Sequence, residues 1–337
     1  MPVQLQVNLA TDAPPTAAPV LEVRGLRVAI DGAQGRVLPV DGVDLAIAPG
    51  RTMCLVGESG CGKSLTCFAI AGLLPPGGRV AAGSIRLAGQ ELTGLPSHRM
   101  AALRGREVAM VYQDPQAALN PVMTIGAQIA ESLTLHGHGR AAAWTEAHRL
   151  LDRVGMPAAA ARMRDYPHQL SGGMNQRAVI AMALACRPRV LIADEPTTAL
   201  DVTIQAQILA LLREAQAELG MALLLVTHDL GVVAEMADEV AVMYAGRVVE
   251  QAAAVTLFAA PSHPYSAGLL GCLPRIERDA PLASIPGTVP PLGALPPGCA
   301  FAPRCDRAAG PCATQRPEPR PWAGAQVACH HPLGAHG

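Results

Sequence analysis

Two glycine-containing turns that lie far apart in the sequence constrain the fold of this chain more than any other feature. The first follows an apolar run, Thr52–Val56, and has the pattern typical of a phosphate-binding loop. It consists of Gly57, Glu58, Ser59, Gly60, Cys61, Gly62, Lys63 and Ser64. Glycine is needed because backbone N–H groups must surround phosphate oxygens, which a Cβ would obstruct, while Lys63 supplies a charge to the β- and γ-phosphates. A strand, this loop and a helix in succession predict a nucleotide site in an α/β fold.

The second turn has the form of a glycine pair that opens a helix. In Leu170–Arg177, Ser171 is a candidate N-cap, and the free N–H groups at Gly172 and Gly173 form a second anion site. One chain has no evident need for two such sites. A head-to-tail pair of chains does, because each second site would cover the γ-phosphate bound by the other chain. Taken alone, this segment is equally compatible with an ordinary capped helix.

Polar side chains stand where apolar strands end, which is the edge of an α/β sheet that binds ligands. Asp194 and Glu195 close one buried strand, and Gln113 and His228 follow two others. We expect Asp194 and the Ser64 hydroxyl to hold Mg²⁺, and Glu195 to accept a proton from an attacking water. Gln113 is expected to reach Mg²⁺ or that water, and His228 to hold the γ-phosphate. Read in isolation, a single glutamine or histidine is more often just a satisfied polar residue.

Composition bounds the class of protein. The 337 residues are 50% hydrophobic and carry a net charge of −1, so the chain can bury a sizeable core but has no basic field for nucleic acid. Residues 1–20 lack the features of a secretory signal, and no apolar run reaches the roughly 18 residues of a membrane span. We therefore expect a cytosolic protein, or one that meets the membrane through partners.

Strand and helix patterns alternate along most of the chain. Strands are predicted within 21–50 and at 52–56, 108–112, 190–193, 222–226, 240–244 and 247–250, and helices at 63–74 and within 124–170. Asp201 and Gly220 are candidate caps of a further helix. This alternation predicts an α/β core with a largely parallel sheet. After about residue 256, Pro and Gly dominate and the strand and helix patterns fade, which predicts a boundary there.

The motifs together resemble those of the ATP-binding subunits of ABC transporters, in order and spacing, over roughly residues 20–255. They are the Walker A loop Gly57–Ser64, the Q-loop Gln113, the signature Leu170–Arg177, the Walker B strand Val190–Glu195, the D-loop Ala199–Asp201 and the switch histidine His228. The resemblance implies an ATPase that binds ATP and Mg²⁺ between two subunits. It also implies that Gln113 and Asp194, with Ser171, Gly172, Gly173, Gln176 and Asp201, belong to the nucleotide site.

The same resemblance implies the fold and its domains. A RecA-like core with a mixed and parallel sheet is expected, together with an antiparallel β subdomain and a helical subdomain that carries the signature. We expect a flexible tail at 1–20, the ATP-binding domain at 21–256 with its helical subdomain at about 114–175, and a C-terminal extension at 257–337.

A closer resemblance is to the oligopeptide/dipeptide permease branch of this family. It rests on Gln113–Pro121, on His168–Met174 and on the block that begins at His263–Ser266. It implies ATP-driven import of di- or oligopeptides at the cytoplasmic face of the membrane. The implied partners are a second, homologous ATPase subunit, two membrane-spanning subunits and a peptide-binding protein. We expect the second ATPase subunit to be a different chain. Import of nickel chelates or glutathione, and a non-transport role in DNA repair or translation, are the alternatives.

Two positions depart from the family pattern. Asn175 stands where the branch usually has a basic residue, so a charge is absent beside the signature turn. The family usually stacks an aromatic ring on adenine before Walker A, whereas Val28–Ile30, at the corresponding place, has none. We therefore expect adenine to rest on an aliphatic surface.

Four cysteines gather in the loop-rich C-terminal segment: Cys299, Cys305, Cys312 and Cys329. Such a segment folds more easily around a metal centre, and tetrahedral thiolate sites suit zinc or an iron–sulfur cluster. The spacing is not that of a zinc ribbon, and unligated thiols are the third reading. Some members of the peptide-permease branch hold a 4Fe-4S cluster in a similar tail, so the resemblance implies such a cluster on these four residues.

Overall fold

The computed structural model of the chain describes residues 18–32, 35–198, 200–273 and 284–334. Its strands are β1 (Leu21–Gly32), β2 (Gly35–Ile47), β3 (Thr52–Val56), β4 (Gly78–Leu87), β5 (Gln90–Glu91), β6 (Val108–Val111), β7 (Val190–Asp194), β8 (Ala222–Val226), β9 (Glu239–Tyr244), β10 (Arg247–Ala253), β11 (Arg320–Trp322) and β12 (Ala325–Val327). Its helices are α1 (Lys63–Ala71), α2 (Ser97–Leu103), α3 (Pro115–Ala118), α4 (Ile125–Thr134), α5 (Arg140–Arg153), α6 (Ala159–Arg162), α7 (Gly172–Leu184), α8 (Val202–Leu219), α9 (Leu230–Met236), α10 (Ala254–Ala259) and α11 (Pro264–Gly271).

Two sheets organise the strands of the described residues. The N-terminal sheet is antiparallel, in the order β2-β1-β4-β5, and the main sheet has the order β11-β12-β10-β9-β3-β8-β7-β6. Strands β9, β3, β8, β7 and β6 run parallel to one another, whereas β10, β12 and β11 continue the main sheet in antiparallel pairs. The predicted α/β class, with a largely parallel core and an antiparallel β subdomain, is therefore confirmed.

The central strands of the main sheet are buried on both faces, which explains why they read as continuous apolar runs. Every residue of β3, β7 and β8 is buried. Alternate side chains of β8 enter opposite halves of the core, since Leu223 and Leu225 pack in one apolar cluster and Leu224 and Val226 in the other. Because parallel strands end at the same edge, the residues that follow β6, β7 and β8 come together.

Local capping signals set the helix ends. The helix after the phosphate loop ends at Ala71, not at the predicted Leu74, because Gly72 adopts a left-handed φ of 65° and the N–H of Leu73 donates to the Phe68 carbonyl. Helix α8 ends as predicted, at Gly220 with a left-handed φ of 64°. The predicted hairpin between β9 and β10 is also present.

Helices α4 to α6 lie between β6 and β7 in the sequence, as the helical patterns within 124–170 predicted. Ile125, Ile129 and Leu133 of α4 are fully buried and share one apolar cluster with Leu150 and Leu151 of α5. Helix α7, which follows the second glycine turn, packs in the same cluster. Across the described part of the chain, no helix combines the length and the apolar composition that crossing a membrane requires.

The C-terminal extension is joined to the main sheet. Strand β12 pairs with β10, and β11 pairs with β12. The buried Glu250 of β10 accepts hydrogen bonds from the backbone N–H groups of Ser262, at 2.7 Å, and His263, at 2.8 Å. The extension therefore adds strands to the main sheet. Residues 1–17 of the predicted tail lie outside the described residues, and the boundaries at 20 and 256 stay predictions.

Candidate nucleotide site

The phosphate loop between β3 and α1 accepts only glycine at two positions. Gly57 has φ of 150°, and a Cβ there would lie 2.2 Å from the Met243 carbonyl oxygen. Gly62 has φ of 105°, and its Cβ would lie 2.4 Å from the Pro39 carbonyl oxygen. Both obstacles are backbone atoms, which cannot move aside as a flexible side chain can. Close packing against the neighbouring backbone, and not only the approach of phosphate, thus requires these glycines.

Lys63 is buried at the base of this loop. Its Nζ donates to the Gly57 carbonyl oxygen at 2.8 Å and to the Glu58 carbonyl oxygen at 3.1 Å. Ser59 and Gly60 are exposed at the tip of the loop, while the buried Cys61 faces inward. The loop therefore wraps around an ammonium group and leaves its tip open to a ligand.

Asp194 and Ser64 form a set of oxygen atoms that fits Mg²⁺. Asp194 is 3% exposed, and the Ser64 side chain is one of the groups that influence its carboxylate. Burial raises the pKa of Asp194 above its usual range, an effect that Glu195 increases and that Ser64 and Lys63 oppose. Oδ1 of Asp194 is buried without a hydrogen-bond partner within the described residues. A buried carboxylate oxygen beside a hydroxyl is the hard-oxygen environment that Mg²⁺ prefers.

The ends of β6, β7 and β8 bring three predicted site residues together at one carboxylate oxygen, Glu195 Oε2. Gln113 Nε2 donates to it at 3.1 Å, and His228 Nδ1 lies 3.3 Å away. The Thr198 hydroxyl donates to the same atom at 2.9 Å. Sequence reasoning missed Thr198, because a threonine in a turn carries no pattern of its own. The arrangement orients a carboxylate that can accept a proton from a water molecule.

The second glycine turn opens α7 as predicted. The Ser171 hydroxyl accepts the N–H of Met174 at 3.4 Å, and a Cβ on Gly173 would lie 2.9 Å from Cγ2 of Ile204. Asp201 caps the neighbouring helix α8 by accepting the N–H of Ile204 at 2.9 Å. Gly172 begins α7. The first residue of the predicted D-loop, Ala199, lies outside the described residues.

Asn175 and Gln176 lie inside the protein. Asn175 is fully buried, and its Nδ2 donates to the Pro167 carbonyl oxygen at 3.0 Å. It therefore connects helix α7 to the preceding 3₁₀ turn, Pro167–Gln169. A basic residue at this position would bury a charge, which explains why a neutral amide is found here. Gln176 is 1% exposed, so any contact it makes with nucleotide requires a change of side-chain position.

The expected aliphatic surface for adenine is largely absent at the place predicted for it. Val28 and Ala29 are both fully buried in the β subdomain, and of the three residues only Ile30 is partly exposed. Strand β1 pairs with β2 and β4 there, and Val28 packs in an apolar core cluster. The sequence pattern did not contain this orientation, because it depends on which face of the sheet is covered.

Two residues of the C-terminal extension contact Glu58 of the phosphate loop, and nothing in the loop motif predicted them. The Tyr265 hydroxyl accepts the backbone N–H of Glu58 at 2.9 Å. Arg304 donates to both oxygens of the Glu58 carboxylate, at 2.6 and 2.9 Å. These hydrogen bonds raise the pKa of the Arg304 guanidinium, which stays charged. We call this set of three residues the Glu58 contact.

The four cysteines of the extension line one small cavity, together with Phe301 and His331; we call it the cysteine cavity. Burial raises the pKa of the thiols of Cys299, Cys305 and Cys329, to about 11 for Cys329, and neighbouring thiols add to the effect. Within the described residues, no group of three or more His, Cys, Asp or Glu side chains has the arrangement required to hold a metal ion. The structure thus brings the four residues to one place without supplying a preformed metal site.

Comparison with known proteins places these features in context. A family model described as ABC transporter matches residues 40–198, and one described as oligopeptide/dipeptide transporter, C-terminal region, matches residues 249–312. The chain is 48% identical over 326 residues to the oligopeptide transport ATP-binding protein OppD of Salmonella typhimurium, covering 96% of this chain and 97% of that protein. It is 48% identical over 301 residues to the oligopeptide transport ATP-binding protein AppD of Bacillus subtilis, covering 88% and 92%.

A solved structure supports the fold. The dimeric structure of MJ0796, a bacterial ABC transporter cassette, matches with a TM-score of 0.63 and 25% identity. The match covers 69% of this chain and 98% of that one.

Proposed function

The chain belongs to the ABC transporter family, and we propose that it hydrolyses ATP to power the import of di- and oligopeptides through a membrane transporter. The proposal rests on the position of the Glu195 carboxylate, which Gln113, Thr198 and His228 contact. Glu195 directly follows Asp194 at the end of β7. The names of the relatives, and the match of the C-terminal region to oligopeptide/dipeptide transporters, support peptides as the substrate class.

Binding of ATP uses the phosphate loop. Its backbone N–H groups and the N-terminus of α1 surround the β- and γ-phosphates. Lys63 exchanges the carbonyl oxygens of Gly57 and Glu58 for phosphate oxygens, so its charge is conserved while its partners change. Ser64 and Asp194, with Gln113 close by, would hold Mg²⁺, which when bound neutralises charge on the phosphate oxygens.

Hydrolysis then needs a base. Glu195 accepts a proton from water as the water oxygen bonds to the γ-phosphorus and the bond from that phosphorus to the β–γ bridging oxygen breaks. Gln113 and Thr198 hold the carboxylate in position. His228, which is 64% exposed at its side chain, is free to turn toward the γ-phosphate.

A second ATPase subunit completes the site in this proposal. Ser171, Gly172 and Gly173 at the start of α7 present free N–H groups, which would cover the γ-phosphate of a partner arranged head to tail. Gln176 of the same helix and Asp201, the N-cap of α8, belong to this site in the proposal. Two membrane-spanning subunits and a peptide-binding protein complete the transporter, and this chain lies on the cytoplasmic face of the membrane. Opening and closing of the ATPase pair drives the membrane subunits.

A 4Fe-4S cluster in the cysteine cavity is a finer point of the same proposal. It is supported by the donor set, since four thiols line one cavity and thiolates suit iron–sulfur clusters. Protein purified without oxygen should absorb visible light and contain iron and sulfide, both lost in Cys312→Ser but kept in Cys272→Ser, which changes a thiol outside the cavity. Colourless protein from a host that builds clusters would overturn this point, and bound zinc would replace it.

The hydrolysis step is tested by Glu195→Gln. This variant should bind ATP as the wild type does and lose about 100-fold or more in turnover, because the amide accepts no proton. Glu146→Gln, which removes a carboxylate from an exposed ion pair, is the matched control and should keep full activity. Turnover in Glu195→Gln equal to that of the control would remove Glu195 as the base.

The substrate class is tested in the assembled transporter. Vesicles that contain this chain, its ATPase partner and the membrane subunits should take up labelled di- or oligopeptides when ATP is present on the side of the ATPase subunits. Glu195→Gln should abolish uptake. Uptake of a nickel chelate or glutathione, with none of peptide, would keep the ATPase assignment and overturn the peptide assignment.

A further inference from the structure

The Glu58 contact joins the C-terminal extension to the phosphate loop, and we propose that Arg304 is a positioning residue that sets this loop for ATP binding. The inference rests on the proposed ATPase function and concerns how the site is regulated from outside the ATP-binding cassette. Arg304 and Glu58 lie 246 positions apart in the chain, so only the fold brings them together.

Arg304 is built into its position from several sides. Its two terminal nitrogens reach both oxygens of Glu58, and its Nε donates to the Pro286 carbonyl oxygen at 2.8 Å. The guanidinium also lies 5.8 Å from the ring centroid of Tyr244 and 5.9 Å from that of Phe301. Its side chain is only 4% exposed. A planar guanidinium that makes two hydrogen bonds and packs against aromatic rings fixes the orientation of the Glu58 carboxylate as well as neutralising it. A lysine would supply only the charge.

The contact continues from Glu58 to the ammonium that serves ATP. The backbone N–H of Glu58 is held by the Tyr265 hydroxyl, and its carbonyl oxygen accepts from Lys63 Nζ at 3.1 Å. Tyr265 is fully buried against Tyr244 and Phe301, with ring centroids 4.7 and 5.4 Å away. The extension therefore controls both the backbone of Glu58 and, through its carbonyl group, the starting position of Lys63.

The charge of the Glu58 carboxylate links this contact to ATP binding. Glu58 places a carboxylate in a loop that must accept a highly charged phosphate chain, and Arg304 neutralises it. The Glu58 side chain is 29% exposed, so water can solvate its carboxylate when Arg304 is removed. An unpaired carboxylate in the phosphate loop would repel ATP.

The segment that presents Arg304 also carries the cysteines. Residues Ala302–Arg304 form a 3₁₀ turn, and Cys299 and Cys305 flank that turn in the chain and line the cysteine cavity. The position of Arg304 is therefore set by the same short segment that forms the cavity wall.

The test is ATP binding to the full-length chain, measured by calorimetry in the presence of Mg²⁺. Arg304→Gln should weaken ATP binding about tenfold, and the loss should shrink as salt is raised, because the exposed part of the Glu58 carboxylate is screened. Arg304→Gln combined with Glu58→Gln should recover affinity to within about threefold of wild type, since the repelling charge is gone. Arg99→Gln removes an exposed arginine of α2, outside the Glu58 contact and the cysteine cavity, and is the control, with unchanged affinity expected.

Other outcomes overturn the inference. Wild-type affinity in a folded Arg304→Gln protein would show that the contact does not position the loop. A double variant as weak as Arg304→Gln would show that Arg304 acts through stability of the fold and not through the charge of Glu58. If Arg304→Gln does not fold, Arg304→Lys keeps the charge without the paired geometry and should bind ATP with intermediate affinity. Absence of ATP binding in the wild type would overturn the proposed function instead.

Discussion

At the scale of single residues, Glu195 combines backbone strain with a fully oriented side chain. Its φ of 47° lies in the left-handed region, which a residue with a Cβ adopts at a cost of roughly 1–2 kcal/mol. The backbone N–H of Glu195 donates to the Val226 carbonyl oxygen at 2.9 Å, and its carboxylate has three polar neighbours. These contacts offset the strain.

Thr198 gives a prediction at this scale. Thr198→Val keeps the shape of the side chain and removes the hydrogen bond to Glu195, so the rate constant for hydrolysis should fall about 3- to 10-fold. The KM for ATP should not change, because the hydroxyl contacts Glu195 and not the phosphate loop. Steady-state kinetics beside Thr145→Val, an exposed threonine of α5, provide the comparison. A rise in KM with an unchanged rate constant would contradict this role.

At the scale of elements, the phosphate loop is shaped as much by the hairpin and the β subdomain beside it as by its own sequence. Gly57 packs against the backbone of β9, and Gly62 packs against the backbone of β2. The two sheets therefore meet at the loop, and each contributes a carbonyl oxygen that excludes a side chain. A motif that is usually explained by phosphate alone is here also a packing requirement.

Gly62→Ala is the prediction for this element. The new Cβ meets the Pro39 carbonyl oxygen and the backbone has a positive φ, so unfolding free energy should fall by roughly 1–3 kcal/mol and ATP binding should be lost. Gly139→Ala is the matched control, because that position has open space and no positive φ. Thermal denaturation and nucleotide titration of both variants decide the matter. Equal melting temperatures would show that the loop relaxes without cost.

At the scale of the whole molecule, the extension is fixed to the core by buried polar groups. Glu250 holds the backbone at Ser262 and His263, and His263 Nδ1 accepts the N–H of Tyr265 at 3.0 Å at the start of α11. His263 is 1% exposed, and burial lowers its pKa from 6.5 to about 4. The junction between extension and cassette therefore contains a histidine that must stay neutral.

This neutral histidine predicts a dependence of stability on pH. Between pH 6.5 and about 4, the unfolded chain binds a proton that the folded chain excludes. The contribution of His263 is thus fully present above pH 6.5 and is lost as the pH falls toward 4, by up to roughly 3 kcal/mol. Denaturant unfolding of His263→Asn, which keeps an acceptor for the Tyr265 N–H, should depend less on pH over this window. His148→Asn changes an exposed histidine and should behave as wild type. Equal pH dependence in His263→Asn and wild type would contradict the assignment.

The local elements and the order of the polar residues follow from the sequence alone. Asp201, Ser171 and Gly220 are caps whose hydrogen bonds reach only a few residues along the chain, so pattern alone predicts them. Gln113, Glu195 and His228 were expected at one edge because parallel strands end together, and the structure brings them to one carboxylate oxygen. Apolar strands without alternation indicated burial on both faces.

Contacts that join segments distant in the chain arise only from the packing of the folded chain. No pattern places Arg304 on Glu58, because the two residues stand 246 positions apart and no motif links their segments. The burial of Val28 and Ala29 and the addition of β12 to β10 likewise depend on which surfaces are covered after the sheets have formed. Local hydrogen bonds and the alternation of side chains between faces depend only on neighbouring residues. Packing between elements forms only when the whole chain is compact.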